Sequence, residues 1–94
     1  MHPTRNQQLA VQATLNTLIG PREFDRLCLG MRVERIDHDV LYVFVSNENC
    51  AAEIKANYSD DLAVAAEQVL DKPVRLVNVL PMNSSSRKID GRSR

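Results

Sequence analysis

The sequence has no tryptophan, only three glycines and two cysteines, and charges that cancel: twelve Lys and Arg against twelve Asp and Glu in 94 residues. Each shortage excludes something. Two cysteines, Cys28 and Cys50, cannot build the disulfide framework of a small secreted domain, and with His2 and His38 they show no zinc-ligand spacing. Gly20, Gly30 and Gly91 are scattered, so neither a phosphate-binding loop nor a dinucleotide fingerprint can be written. Aromatic residues make up 4% of the chain, too few for an extended base-stacking platform. No apolar run approaches the roughly 20 residues of a membrane span, and MHPTRNQQ is not the start of a signal peptide. A cytoplasmic protein is expected.

What is present is the material of one small globular domain, 44% hydrophobic and 26% charged. Charge is unevenly spread. Up to Pro81 there are eight basic and eleven acidic residues, a net of −3, and beyond it four basic residues face one acid, a net of +3. Residues 1–6 are polar and expected to be disordered, 7–81 form the domain, and 82–94, rich in Ser and Arg, read as a disordered linker or tail.

Within the domain, Val11, Leu15, Leu18 and Ile19 recur at helical spacing from about Gln7 until Gly20-Pro21 stops them. Pro21 suits the first turn of a second helix, whose Phe24, Leu27, Cys28 and Met31 form one stripe ending around Gly30. The period then changes to two. Met31–Ile36 and Val40–Val45 read as a hairpin around Asp37-His38-Asp39, with Tyr42 and Phe44 on one face of the second strand and Leu41, Val43 and Val45 on the other. Ser46-Asn47 are cap residues for a third helix, either continuous to Leu70 or broken near Tyr58, where Ser59-Asp60-Asp61 could restart it. Val74–Leu80 is the third strand. The expected fold is α+β, ordered α-α-β-β-α-β, a three-stranded sheet with helices packed on one face.

No catalytic constellation can be assembled from these residues, so an enzyme is not expected. His38 lies in an acidic turn without a neighbouring nucleophile, and both cysteines fall on apolar stripes. A KH-type nucleic-acid module shares the element order, but the joint between the first two helices reads Gly20-Pro21-Arg22-Glu23 instead of GxxG. Such a surface serves by contact. Gln8, Arg22, Glu23 and Arg26 are expected to be exposed on the edge formed by the first two helices and able to make charge-assisted contacts. Tyr42 and Phe44 are expected on a less covered sheet face.

The stretches LAVQATLNTLIGPREFDRLCLGMRV, LYVFVSNENCAAEIKANYSDDLAVAAEQVL and VRLVNVLP resemble the N-terminal domain (domain I) of DnaA, the bacterial chromosomal replication initiator, over about residues 7 to 80. Arg22-Glu23-Phe24, the strand Leu41 to Asn47, and Tyr58 carry the resemblance best. It implies a KH-like docking hub that self-associates, contacts the replicative helicase, receives regulatory adaptor proteins and in some members binds single-stranded DNA weakly. No cofactor is implied for this segment, since ATP binding belongs to later domains of an initiator, beyond a linker that residues 82–94 would begin. Glu23 matches a glutamate implicated in helicase contact, and Phe24 the aromatic packed beneath it. Gln8 stands where many members carry a tryptophan used in self-association, Asn49 near an exposed aromatic used on the helicase, and Leu27 in place of a core tryptophan. Two alternatives stay open: a free-standing domain-I-like adaptor or DciA-type helicase loader, and a KH-like module that binds single strands weakly.

Overall fold

A computed structural model describes residues 1–82. The proposed tail, apart from Met82, lies outside the described residues. The elements run α1 (Arg5–Ile19), α2 (Pro21–Cys28), β1 (Arg32–Asp37), β2 (Val40–Val45), α3 (Glu48–Asn57), α4 (Ser59–Leu70) and β3 (Leu76–Pro81). The fold is α+β, with the expected order except that the third helix is two.

Local chemistry sets these boundaries. Thr4 and Gln7 close a capping box, the Gln7 N–H donating to Thr4 Oγ1 at 3.2 Å and the Thr4 N–H to Gln7 Oε1 at 2.8 Å. This starts α1 two residues before Gln7. Gly20 ends α1 and caps α2 at φ 92° and ψ 153°, a conformation essentially confined to glycine, which lets Pro21 open a new helix at once. Asn47 caps α3, its Oδ1 accepting from the Cys50 N–H at 2.9 Å. Tyr58, at φ −130° and ψ 15°, separates α3 from α4, and Asp60 and Asp61 then sit favourably in the first turn of α4.

β1 and β2 pair antiparallel and β2 and β3 parallel, giving the sheet order β1-β2-β3. Residues His38 and Asp39, both at positive φ, make the two-residue turn whose twist matches a hairpin. The register shifts at Glu34, so that Val33 faces Val43 while Arg35 faces Tyr42. A single core lies between the helices and one face of the sheet, where Val11, Leu15, Leu41, Val43, Ile54 and Leu62 are almost wholly removed from water. No charged or polar side chain among the described residues is buried.

The first residues correct the expectation of disorder. Met1 pairs with β1 through its backbone: its ammonium donates to the Ile36 carbonyl at 3.2 Å, and the Ile36 N–H donates to the Met1 carbonyl at 3.0 Å. Backbone groups of an edge strand need partners, and Met1 supplies two of them.

Candidate functional site

Two regions hold the side chains that sequence reasoning singled out. On the helical side, α2 places Glu23 and Arg26 one turn apart. Arg26 forks between two carboxylates: its Nη2 lies 2.6 Å from Glu23 Oε1, its Nη1 donates to Glu53 Oε1 of α3 at 3.0 Å, and its Nη2 also reaches Glu53 Oε2. The Tyr58 hydroxyl, at the break between α3 and α4, donates to Glu23 Oε1 at 3.0 Å. Phe24 is buried beneath this network.

Glu23 is thus half-buried and occupied, not a free acid awaiting a partner. The Arg26 guanidinium and then the Tyr58 hydroxyl hold its carboxyl below the usual carboxylate range, and Arg26 does the same for Glu53. Glu23 in turn raises the Tyr58 phenol. The sign for stability follows. A lowered carboxyl pKa contributes stability that is present at neutral pH and is lost as pH falls through the folded-state value. Tyr58→Phe is therefore expected to lower the melting temperature at pH 7, with the gap from the parent closing on acidification below the ordinary carboxylate range. No gap at pH 7 would show that the ring's packing, not its hydroxyl, links these helices, and a gap unchanged between pH 7 and pH 3 would show that the hydroxyl acts independently of the Glu23 charge.

The remaining expected contact residues separate. Arg22 and Asn49 are exposed, on α2 and in the first turn of α3. Gln8 is half-buried and fully used within the fold, correcting the expectation of an exposed contact. Its Oε1 accepts from the Val33 N–H at 2.8 Å and its Nε2 donates to the Val33 carbonyl, while Gln12 Nε2, one turn on, donates to the Met31 carbonyl at 3.2 Å. The amide of Gln8 acts as a one-residue strand along the outer edge of β1.

The second region is the sheet face turned away from the helices. Tyr42 and Phe44 are half-buried there, as expected, with Val40 beside them on β2. The Arg35 guanidinium stacks 4.0 Å above the Tyr42 ring centroid and that of Arg32 lies 5.5 Å from the Phe44 centroid. Parallel register brings Leu76, Asn78 and Leu80 of β3 alongside Val40, Tyr42 and Phe44. Leu76 is 63% exposed, the most exposed large apolar side chain among the described residues. Arg32 pairs with Glu34 at 3.0 Å, whereas Arg35 has no carboxylate partner among the described residues. Sequence reasoning found the two rings but not Leu76, Leu80 or the arginines. The alternation of Leu76, Asn78 and Leu80 against Val77 and Val79 was the available signal for β3.

The cysteine side chains touch only backbone in these regions, the Cys50 Sγ lying 3.9 Å from the Arg26 carbonyl. Cys28 is buried, which pushes its thiol up to about 11, and Cys50 packs half-buried against the core. Among the described residues no three His, Cys, Asp or Glu side chains gather as a metal site, and no helix is long and apolar enough to cross a membrane.

No protein-family model matches the chain, and no curated protein matches it.

Proposed function

We propose that this chain is a cytoplasmic, non-enzymatic protein-docking module, the N-terminal interaction domain of a DnaA-type replication initiator or a free-standing relative of it. Its partners are the replicative helicase, other copies of the initiator, and adaptor proteins. The observation that carries the docking reading is the open sheet face, where Tyr42, Phe44, Leu76 and Leu80 give apolar contact area and Arg35, without a carboxylate partner among the described residues, offers a guanidinium held flat by a ring. The choice of initiator rests on the residues that resemble domain I. Two of these, Glu23 and Tyr58, meet across the α2 and α3–α4 interface, which supports reading them as one unit.

The test is a titration of the isotope-labelled chain with the replicative helicase of the same organism, followed by amide shifts. Shifts are expected on Arg35, Tyr42, Phe44 and Leu80, and Arg35→Glu should weaken binding by about tenfold while the domain stays folded. Shifts confined to α2 around Glu23 would keep the helicase and move the surface. No shift at high helicase concentration would remove this partner.

A second reading has one observation in its favour: guanidinium groups stacked on rings also suit single-stranded nucleic acid. A short single-stranded oligonucleotide in the same titration separates the two. Shifts with the oligonucleotide alone would replace the docking reading.

A further inference from the structure

The two edges of the sheet are treated differently. The edge of β1 is closed three times, by Met1 at Ile36, by Gln8 at Val33 and by Gln12 at Met31. Among the described residues, nothing closes the edge of β3 at Val77 and Val79. The Leu76 N–H turns toward β2, donating to the Asp39 carbonyl at 3.3 Å, so alternation along the parallel ladder turns the N–H and C=O of Val77 and Val79 outward. No hydrogen bond from these outward groups is formed with the described residues, and β3 pairs only with β2. Unpaired edge groups are a template for another strand.

Beside this edge runs a groove of about 280 Å³, lined by Glu48, Ala51, Ala52 and Lys55 of α3 and by Val79 and Leu80 of β3. Glu48, Ala52 and Lys55 stand at i, i+4 and i+7, along one side of the helix. Neither Glu48 nor Lys55 forms an ion pair with the described residues. An acid and a base placed on either side of a small residue make a pattern that is complementary to itself when reversed.

We infer that a second copy of this chain occupies this edge, its β3 antiparallel to the first across a two-fold axis, with α3 lying antiparallel to α3 near Ala52. Each Glu48 then faces Lys55 of the other copy, so the same pair forms twice. Val77 and Val79 complete their backbone bonding, and the two sheets become one of six strands. Pro81, which has no N–H, ends the pairing. A second copy fits better than an unrelated peptide because the charge pattern supplies its own complement. The inference deepens the self-association contained in the proposed function and rests on that reading for its occupant.

The test is sedimentation equilibrium of the 94-residue chain from about 1 µM to about 1 mM, a range that covers weak dimers. A concentration-dependent dimer is expected. Lys55→Glu and Glu48→Lys each set like charges together at both symmetry-related positions and should each weaken the dimer about tenfold or more. The double exchange, Glu48→Lys with Lys55→Glu, should restore it to within a few-fold. Far-UV circular dichroism and melting curves show whether the single variants keep their fold. The double exchange decides the matter even if one of them is lost, because a dimer restored by it cannot be explained by folding of α3 alone. A monomer throughout overturns the inference, as does a dimer indifferent to the single reversals. A monomer that still binds helicase overturns this pairing alone and leaves the docking reading standing.

Discussion

Gln8→Ala is expected to cost about 2 kcal/mol of folding stability, although the residue lies on a helix surface. Its carboxamide satisfies both the N–H and the C=O of Val33, whose side chain is wholly buried in the edge strand β1. Removing it leaves a donor and an acceptor without their partner in a half-buried seam, and each such loss costs about 1 kcal/mol or more. A residue that only met a partner protein would leave the urea midpoint where it was. A fall of about 2 M is expected instead, taking a urea dependence near 1 kcal/mol/M for a domain this small. An unchanged midpoint would return Gln8 to the list of contact residues. Opening this edge should also make the variant more prone to aggregate, since the β1 groups that α1 now occupies become available to other chains.

Leu15→Ala is expected to cost more, about 3 kcal/mol. Leu15 is fully buried on α1, in the same core as Leu62 and Ala65 of α4, the helix against which α1 chiefly packs. Small domains are stable by roughly 0.05 to 0.15 kcal/mol per residue, so one such cavity consumes a large share of the total. The loss should appear as a lower urea midpoint with an unchanged slope. A cost below about 1 kcal/mol would mean that α1 settles into the vacated volume. Thr17→Ala, on the exposed side of the same helix, serves as the comparison and should change stability by less than about 0.5 kcal/mol.

These two residues mark what could be read in advance. Leu15 was legible because burial follows period: Val11 and Leu15 recur one turn apart, and the structure buries both. The strand faces were legible in β2 for the same reason, with Leu41, Val43 and Val45 inward and Tyr42 and Phe44 outward. Leu18 fits the helical stripe equally well but is 43% exposed, because periodicity does not say where the partner layer ends. Gln8 was not legible at all. Whether a polar side chain on a helix reaches water or a neighbouring backbone depends on which strand edge lies beside it, and that is a tertiary fact. The same holds for Glu23, whose partner outside α2, Tyr58, lies 35 residues further along the chain, and for Arg26, whose second carboxylate, Glu53, lies 27 residues further. The break at Tyr58 could be suspected from Ser59-Asp60-Asp61, yet only the backbone angles of Tyr58 decide between one helix and two.

The extra residue in β1 at Glu34 has an effect on how this strand can change. Arg32 and Arg35 are three positions apart, as are Val33 and Ile36, and in an uninterrupted strand the members of each pair would point to opposite sides. The bulge restores their agreement, keeping both arginines over the rings of β2 and both apolar side chains in the core. The strand therefore has a reading frame with a built-in shift. Deleting Glu34 would leave Arg32, Val33, Arg35 and Ile36 in plain alternation opposite the same four residues of β2, so the facing of these side chains survives and what is lost is the bend and added twist of the bulge. The extra residue at this position therefore governs the shape of β1 and not which of its side chains enter the core.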